Sequence, residues 1–322
     1  MMRIRAALLI GCTLFPALSA MAQEVYPSKA VTLVVPFAAG GATDLLGRIV
    51  AERLGAVWKQ SVIVENRGGA SGAIGSAYVA RAKNDGYTIL LGTASTHAVA
   101  QTLNPKLPYN VQRDFVPISE VATSPLVLVV HTSVPAKSVK ELVAYAKSKP
   151  GDVAYDGSPG TAPHMAMELL AARAEMKMMA VGYKGSAPAL TDLVAGQLQT
   201  AFTDVPMALS YIRGEKVRAL AVTSTKRIPL LPQVPTVAES GYPGYDADVW
   251  LGLFAPAGTP PEIAKKISVD LQKALSEPGA RKKLEDAGFN LVATSPDEFA
   301  IRVRDDIQKW RKVITDANIK LE

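Results

Sequence analysis

VTLVVPFAAGGATD, residues 31–44, is the stretch whose reading decides the fold. A β-branched apolar run breaks at Pro36, passes Gly40 and Gly41, and enters an amphipathic segment at Thr43–Asp44. That order is strand, glycine loop, helix start. Such a loop turns bare backbone N–H groups toward the space beyond the strand end, and the helix N-terminus adds partial positive charge there. The result is an anion seat made of main chain, without Arg or Lys. Phe37, Ala38, Ala39, Gly40, Gly41 and Thr43 are its candidate ligand contacts, because small residues let a ligand approach the backbone closely. Asp44 would repel an anion if it pointed inward, so it reads as a helix-start carboxylate bonded to backbone. An ordinary strand-to-helix turn has the same local pattern, so the rest of the chain must decide.

Outward from this stretch, strand-like runs alternate with helix-period segments. Strands are expected near 30–35, 61–65, 87–91, 116–122, 126–131, 153–155, 178–182, 199–202, 218–222 and 248–254. Helices are expected near 43–58, 72–82, 138–149, 162–174, 186–195, 206–213, 260–276 and 296–317. This alternation predicts α/β architecture with largely parallel sheets. Ser138 with Glu141, Thr259 with Glu262, and Ser295 with Glu298 read as capping boxes. Phe299, Val303, Ile307, Trp310, Ile314 and Ala317 form one core-facing stripe. Pro278-Gly279 reads as a stop or turn, and 228–236 as a surface connection. No long linker is present, which favours two domains joined by strands that cross between them.

The N-terminus, MMRIRAALLIGCTLFPALSAMAQ, has a basic start, a short apolar stretch and the small-x-small site Ala20-Met21-Ala22. It reads as a secretory signal peptide over 1–22, cleaved after Ala22. A lipoprotein-type cut before Cys12 is the rival. Cys12 is the only cysteine of the chain, so the mature protein has no disulfide and no thiolate. Arg3 and Arg5 leave with the leader and no acid does, so the net charge falls from +6 to +4. That thin surplus, without a basic stripe bearing aromatics, argues against nucleic acid as a partner. No later run reaches the length of a membrane span. An exported, periplasmic protein that is not membrane-embedded is expected.

Six segments in order carry a likeness: PFAAGGATD (36–44), VENRGGASGAIG (64–75), DGYTILLG (85–92), GSPGTAPHMAMELL (157–170), YKGSAPALTDLVAGQLQTAF (183–202) and WLGLFAPAGTPPE (250–262). Together they resemble the Bug-type periplasmic solute-binding proteins, the receptors of tripartite tricarboxylate transporters. The resemblance implies a two-lobed type II periplasmic-binding-protein fold with two crossing hinge strands. Lobe one would take 26–123 plus 225–322, and lobe two 124–224. It also implies a small carboxylate ligand held by loop main chain in the interlobe cleft, membrane transporter subunits as partners, a monomer, and no cofactor. The chain departs from the family's usual pattern at Gly182, at Ala162-Pro163 and at Thr203.

The residues themselves offer further contacts. Gly157-Ser158-Pro159-Gly160-Thr161 repeats the strand, glycine loop and helix order, so Ser158, Gly160 and Thr161 form a second seat. His164, in the first turn of the next helix, could reach the ligand or cap its own loop. Thr93 and Ser95 follow a strand end, the usual crevice in α/β sheets; His97 beside them reads as structural. Tyr183 and Asp204 follow strand ends in lobe two, and Asp204 would suit an ammonium or hydroxyl. Trp250 reads as core or cleft mouth. The glycines of 65–75 lack nucleotide-loop spacing and read as a tight turn with close helix packing.

Two rival functions stay open at this point. A ligand sensor would use the same cleft to address a signalling partner. A secreted serine hydrolase would pair Ser95 or Ser158 with His97, His131 or His164, although G-x-S-x-G is absent. The three histidines have no metal-ligand spacing, so no metal site is expected.

Overall fold

The computed structural model describes residues 26–183, 186–316 and 318–320. The leader over 1–22, its cleavage site and Cys12 lie outside them, as does Ala317 of the terminal stripe. The described chain opens with β1 (Val31–Val35), α1 (Ala42–Trp58), β2 (Val62–Asn66), α2 (Ala73–Ala80) and β3 (Thr88–Thr93). A π-helical turn at Ser95–Val99, α3 (Ala100–Leu103) and α4 (Val111–Asp114) lead into β4 (Phe115–Ser124). Then come β5 (Leu126–His131), α5 (Val139–Ser148), β6 (Ala154–Asp156), α6 (Ala162–Ala174), β7 (Met179–Val181), α7 (Ser186–Val194), β8 (Thr200–Asp204), α8 (Val205–Arg213) and β9 (Val217–Val222). The chain ends with β10 (Val249–Pro256), α9 (Pro261–Ser276), α10 (Pro278–Asp286), β11 (Asn290–Leu291) and α11 (Pro296–Asp316).

Two sheets form, in the orders β11-β4-β10-β3-β1-β2 and β7-β6-β8-β5-β9. Each is mixed rather than largely parallel. β1 lies parallel to β2 and β3, and β6 parallel to β7 and β8. In contrast, β10 opposes β3 and β4, and β5 opposes β8 and β9. The reason is the crossing. β4 passes through Pro125 straight into β5, and the chain returns from β9 to β10. The strands that run away from the crossing therefore oppose those that end at it.

At the crossover the two connections are bonded to each other. Leu126 N–H donates to Thr223 Oγ1 at 2.9 Å, and Thr223 N–H donates to the Leu126 carbonyl at 2.9 Å. The Thr223 hydroxyl in turn donates to Asp248 Oδ1 at 3.0 Å. One apolar core runs through both lobes, from Val34, Phe115, Phe254 and Trp310 to Leu128, Tyr155, Phe202 and Tyr245. Each lobe has a second core on the other face of its sheet. Ile228, Leu231 and Val234 are buried in the core of the second sheet, so 228–236 is packed rather than a surface connection. An apolar residue every third position made that burial readable.

Local chemistry explains most helix ends. Ser295 and Glu298 complete a reciprocal capping box, with bonds of 3.4 and 2.8 Å. Ser138 Oγ caps the Glu141 amide at 3.2 Å. Thr259 makes no cap, because its hydroxyl donates back to the Pro256 carbonyl at 2.8 Å and the helix begins at Pro261. Pro278 opens α10 rather than stopping the chain, since proline is well placed at a first helical position. Trp250 is fully buried core.

Candidate ligand site

A cavity of about 840 Å³ lies between the lobes. Its walls come from strand-end loops and from α3. Lobe one contributes Phe37, Ala38, the run Gly68–Gly72, Ser95, Ala100, Leu103, Asn104 and Leu107; lobe two contributes Ser158, Pro159, Gly160, Thr161 and Tyr183. The lobes touch here. Ser71 Oγ donates to the Pro159 carbonyl at 3.2 Å, and Leu103 packs over Gly160.

The first seat is only partly at this cavity. Phe37 and Ala38 line it; Ala39, Gly40, Gly41 and Thr43 do not. The Gly40 amide is occupied, donating to Asp44 Oδ2 at 2.9 Å. Arg48 Nε and Asn66 Nδ2 also donate to that carboxylate, at 3.1 and 3.0 Å. Burial alone would raise the Asp44 carboxyl, but these three bonds outweigh it and hold it below the usual carboxylate range. Asp44 thus staples its own loop, in the role read for it from sequence.

The second seat has the same geometry. The Gly160 amide donates to His164 Nδ1 at 3.3 Å. Accepting there puts the ring proton on Nε2, which faces Glu168 Oε1 at 3.6 Å. Burial pushes the Glu168 carboxyl up, but bonds with His164 and Tyr155 outweigh it. Thr161 caps α6, its hydroxyl accepting from the His164 amide and donating to the Ser158 carbonyl. Ser158 Oγ donates to Asp156 Oδ1 at 2.5 Å and accepts from the Tyr183 amide at 3.1 Å. His164 therefore does not line the cavity; it caps its own loop.

The four other candidates fall in different places. Thr93 is buried behind the cavity, where its amide donates to Thr96 Oγ1 at 3.0 Å. Asp204 ends β8 without lining the cavity, and burial pushes its carboxyl up. Tyr183 lines the cavity, but its hydroxyl is bonded to Asp192 at 2.8 Å. Ser95 lines the cavity and its hydroxyl has no partner among the described residues.

No serine–histidine pair of the hydrolase kind forms at the cavity among the described residues. Ser158 is bonded to Asp156, and His97 is stacked on Phe254 at 4.1 Å with Nδ1 against Thr96 Oγ1. Burial pushes the His97 imidazole down to about 3, so it stays neutral. The Ser133–His131 contact of 2.7 Å sits on a turn after β5, away from the cleft.

Sequence reading missed the Gly68–Gly72 wall. Gly69, Ala70, Ser71 and Gly72 have φ of 126, 47, 52 and 90°, four left-handed residues in succession. Two are not glycine, each at a cost of about 1–2 kcal/mol; such strain persists where surrounding structure enforces it. A glycine-rich stretch just after β2 was the available signal, identical in kind to that after β1. The amides of Ala38, Ala70 and Ser71 have no acceptor among the described residues. The Asn104 side-chain N–H groups are also unpartnered there. No described helix is long and apolar enough to cross a membrane.

Two mixed sheets joined by paired crossing strands, with loops from both lobes facing one cavity, define a two-lobed solute-binding protein. Residues 46–319 match the tripartite tricarboxylate transporter family receptor model, and the chain belongs to that family. It is similar to BugT of Bordetella pertussis, with 36% identity over 304 residues, 94% of this chain and 93% of that protein. Among solved structures it is similar to an R. palustris protein with adipate, at 37% identity and a TM-score of 0.85 over 92% of this chain and 99% of that one. It is also similar to MatC from Rhodopseudomonas palustris with bound malate, at 32% identity and a TM-score of 0.82 over 90% of this chain and 100% of that one. The family is a solute-binding receptor class, and its members include periplasmic binding proteins.

Proposed function

We propose that this chain is a periplasmic receptor that captures one small organic carboxylate between its lobes and presents the closed form to membrane transporter subunits. The observation that carries this reading is the cavity itself: loops of both lobes wall it, and the amides of Ala38, Ala70 and Ser71 in those walls are unpaired among the described residues. A charge-assisted hydrogen bond contributes about 1.5–3 kcal/mol. Three of them, less the cost of closure, suit micromolar binding, which corresponds to about −8 kcal/mol. Ligand contacts made by both lobes favour the closed form over the open one. The role is binding without turnover, by a monomer.

Relatives with bound adipate and malate support a carboxylate as the cargo. The test is a thermal-shift screen over dicarboxylates, citrate, aromatic acids, acidic amino acids and nicotinate. Binding to the native state alone raises stability as RT ln(1 + [L]/Kd). At least one acid is expected to raise the melting midpoint in a dose-dependent way. No shift with any acid at millimolar concentration counts against the receptor reading.

A further inference from the structure

The cavity walls differ sharply in chemistry. One side is loop backbone, where the amides of Ala38, Ala70 and Ser71 have no acceptor among the described residues. Another is apolar: Ala100, Leu103 and Leu107 present methyl and isobutyl groups, with Phe37 and Pro159 beside them. Ala100 and Leu103 lie one helical turn apart on α3, and the Leu107 amide closes back onto the Asn104 carbonyl at 3.0 Å. This brings the three into one wall.

Among the described lining side chains, the Ser95 hydroxyl and the Asn104 N–H groups are open to a ligand. The Ser71, Ser158, Thr161 and Tyr183 hydroxyls each have a protein partner. No described lining residue carries a carboxylate. The two acids nearest by sequence are otherwise placed: Asp156 is tied to Ser158, and Asp204 does not line the cavity. An ammonium group would therefore enter without a counter-charge.

We propose that the ligand is a carboxylate with an apolar body of four or more carbons and without an ammonium. This rests on the receptor reading above and narrows it to one chemical class. Each buried methylene is expected to gain about fourfold in affinity. An unpaired buried ammonium costs about a hundredfold or more.

The test is calorimetric titration of the purified full chain, after exhaustive dialysis, with three matched acids. Adipate against succinate isolates two methylenes, and 2-aminoadipate against adipate the ammonium. Adipate is expected to bind at least tenfold tighter than succinate, and 2-aminoadipate at least a hundredfold weaker than adipate. In Leu107→Asn, which lies at a partly exposed position, the adipate-to-succinate ratio is expected to fall at least threefold, with the melting midpoint checked alongside. Succinate or 2-aminoadipate binding as tightly as adipate would overturn the inference and leave the receptor reading standing. An unchanged ratio in a folded Leu107→Asn chain would overturn the assigned wall. If none of the three acids binds, nor any acid of the thermal-shift screen, the receptor reading fails and the inference falls with it.

Discussion

Ser71 of the first lobe donates its hydroxyl to the carbonyl of Pro159 on the second lobe, at 3.2 Å. Ser71 is held at φ 52°, between Ala70 at 47° and Gly72 at 90°. A strained residue thus reaches across the cleft. The contact exists only when the lobes are together, so it acts on closure rather than on the folding of either lobe.

Ser71→Ala keeps the strain and loses the bond. A neutral hydrogen bond is worth about 0.5–1.5 kcal/mol, so carboxylate affinity is expected to fall about threefold to tenfold. Ser71→Gly loses the bond but relieves about 1–2 kcal/mol of left-handed strain, so it should be the more stable variant to urea. Equal urea midpoints for the two would contradict the strain assignment.

The two glycine seats should respond differently to a new carboxylate. Gly160→Asp adds a charge at the cavity wall, at a position with φ 72° and Leu103 Cδ1 3.5 Å from the added Cβ. Carboxylate affinity is expected to drop at least a hundredfold, as for other unpaired like charges held close. Gly40→Asp enters open space away from the cavity, so it should change affinity by less than threefold. Titration of both variants with the best ligand checks this, and the reverse order would move the site to the 39–43 loop.

Glu120 sits on β4 among Arg302 and Asp306 of α11 and Asp246 and Asp248 of the returning connection. Burial pushes its carboxyl up to about 7; Arg302 partly offsets this, and the three aspartates add to it. Asp248 is raised to about 6, chiefly by burial. The folded chain therefore binds more protons than the unfolded chain between pH of about 4.5 and 7. Stability from Glu120 is present at the acidic end of that window and is lost as pH rises through 7. Glu120→Gln is expected to exceed wild type by about 2–3 kcal/mol at pH 8 and to match it near pH 5. Urea unfolding at both pH values measures the difference, and an equal gain at both would refute the titration.

Asp306 is buried at 2% exposure, accepts from Trp250 Nε1 at 2.8 Å and Trp310 Nε1 at 3.0 Å, and pairs with Lys309 at 2.6 Å. Removing it strands two indole donors and an ammonium. Asp306→Ala is expected to cost about 3–5 kcal/mol. Asp306→Asn keeps one acceptor and should cost about 1–2 kcal/mol. Tryptophan fluorescence during urea unfolding reports both, and a loss below 1 kcal/mol for the alanine variant would show the cluster to be dispensable.

Much of the fold was legible because its signals are local. Alternation of β-branched runs with helix-period segments placed ten of the strands, and Ser138 and Ser295 marked helix starts by a cap three residues from its partner. β11 spans only Asn290–Leu291, too short to carry a period. α10 was hidden because Pro278 opens a helix as readily as it ends one. The Leu103 and Leu107 wall was hidden because an apolar residue looks the same in a core and in a cavity.

By itself the sequence determined that glycine loops follow strand ends in both halves of the chain, and that small residues there leave backbone accessible. Only the tertiary structure decided which of those amides stay free. Asp44 and His164 each lie four residues beyond a loop glycine and turn back to take its N–H. A side chain in the first turn of a helix leans toward the helix N-terminus, but whether it reaches the loop depends on rotamer and packing. The folded chain thereby withdraws the Gly40 and Gly160 amides, while at the cavity wall no described side chain folds back to meet those of Ala38, Ala70 and Ser71.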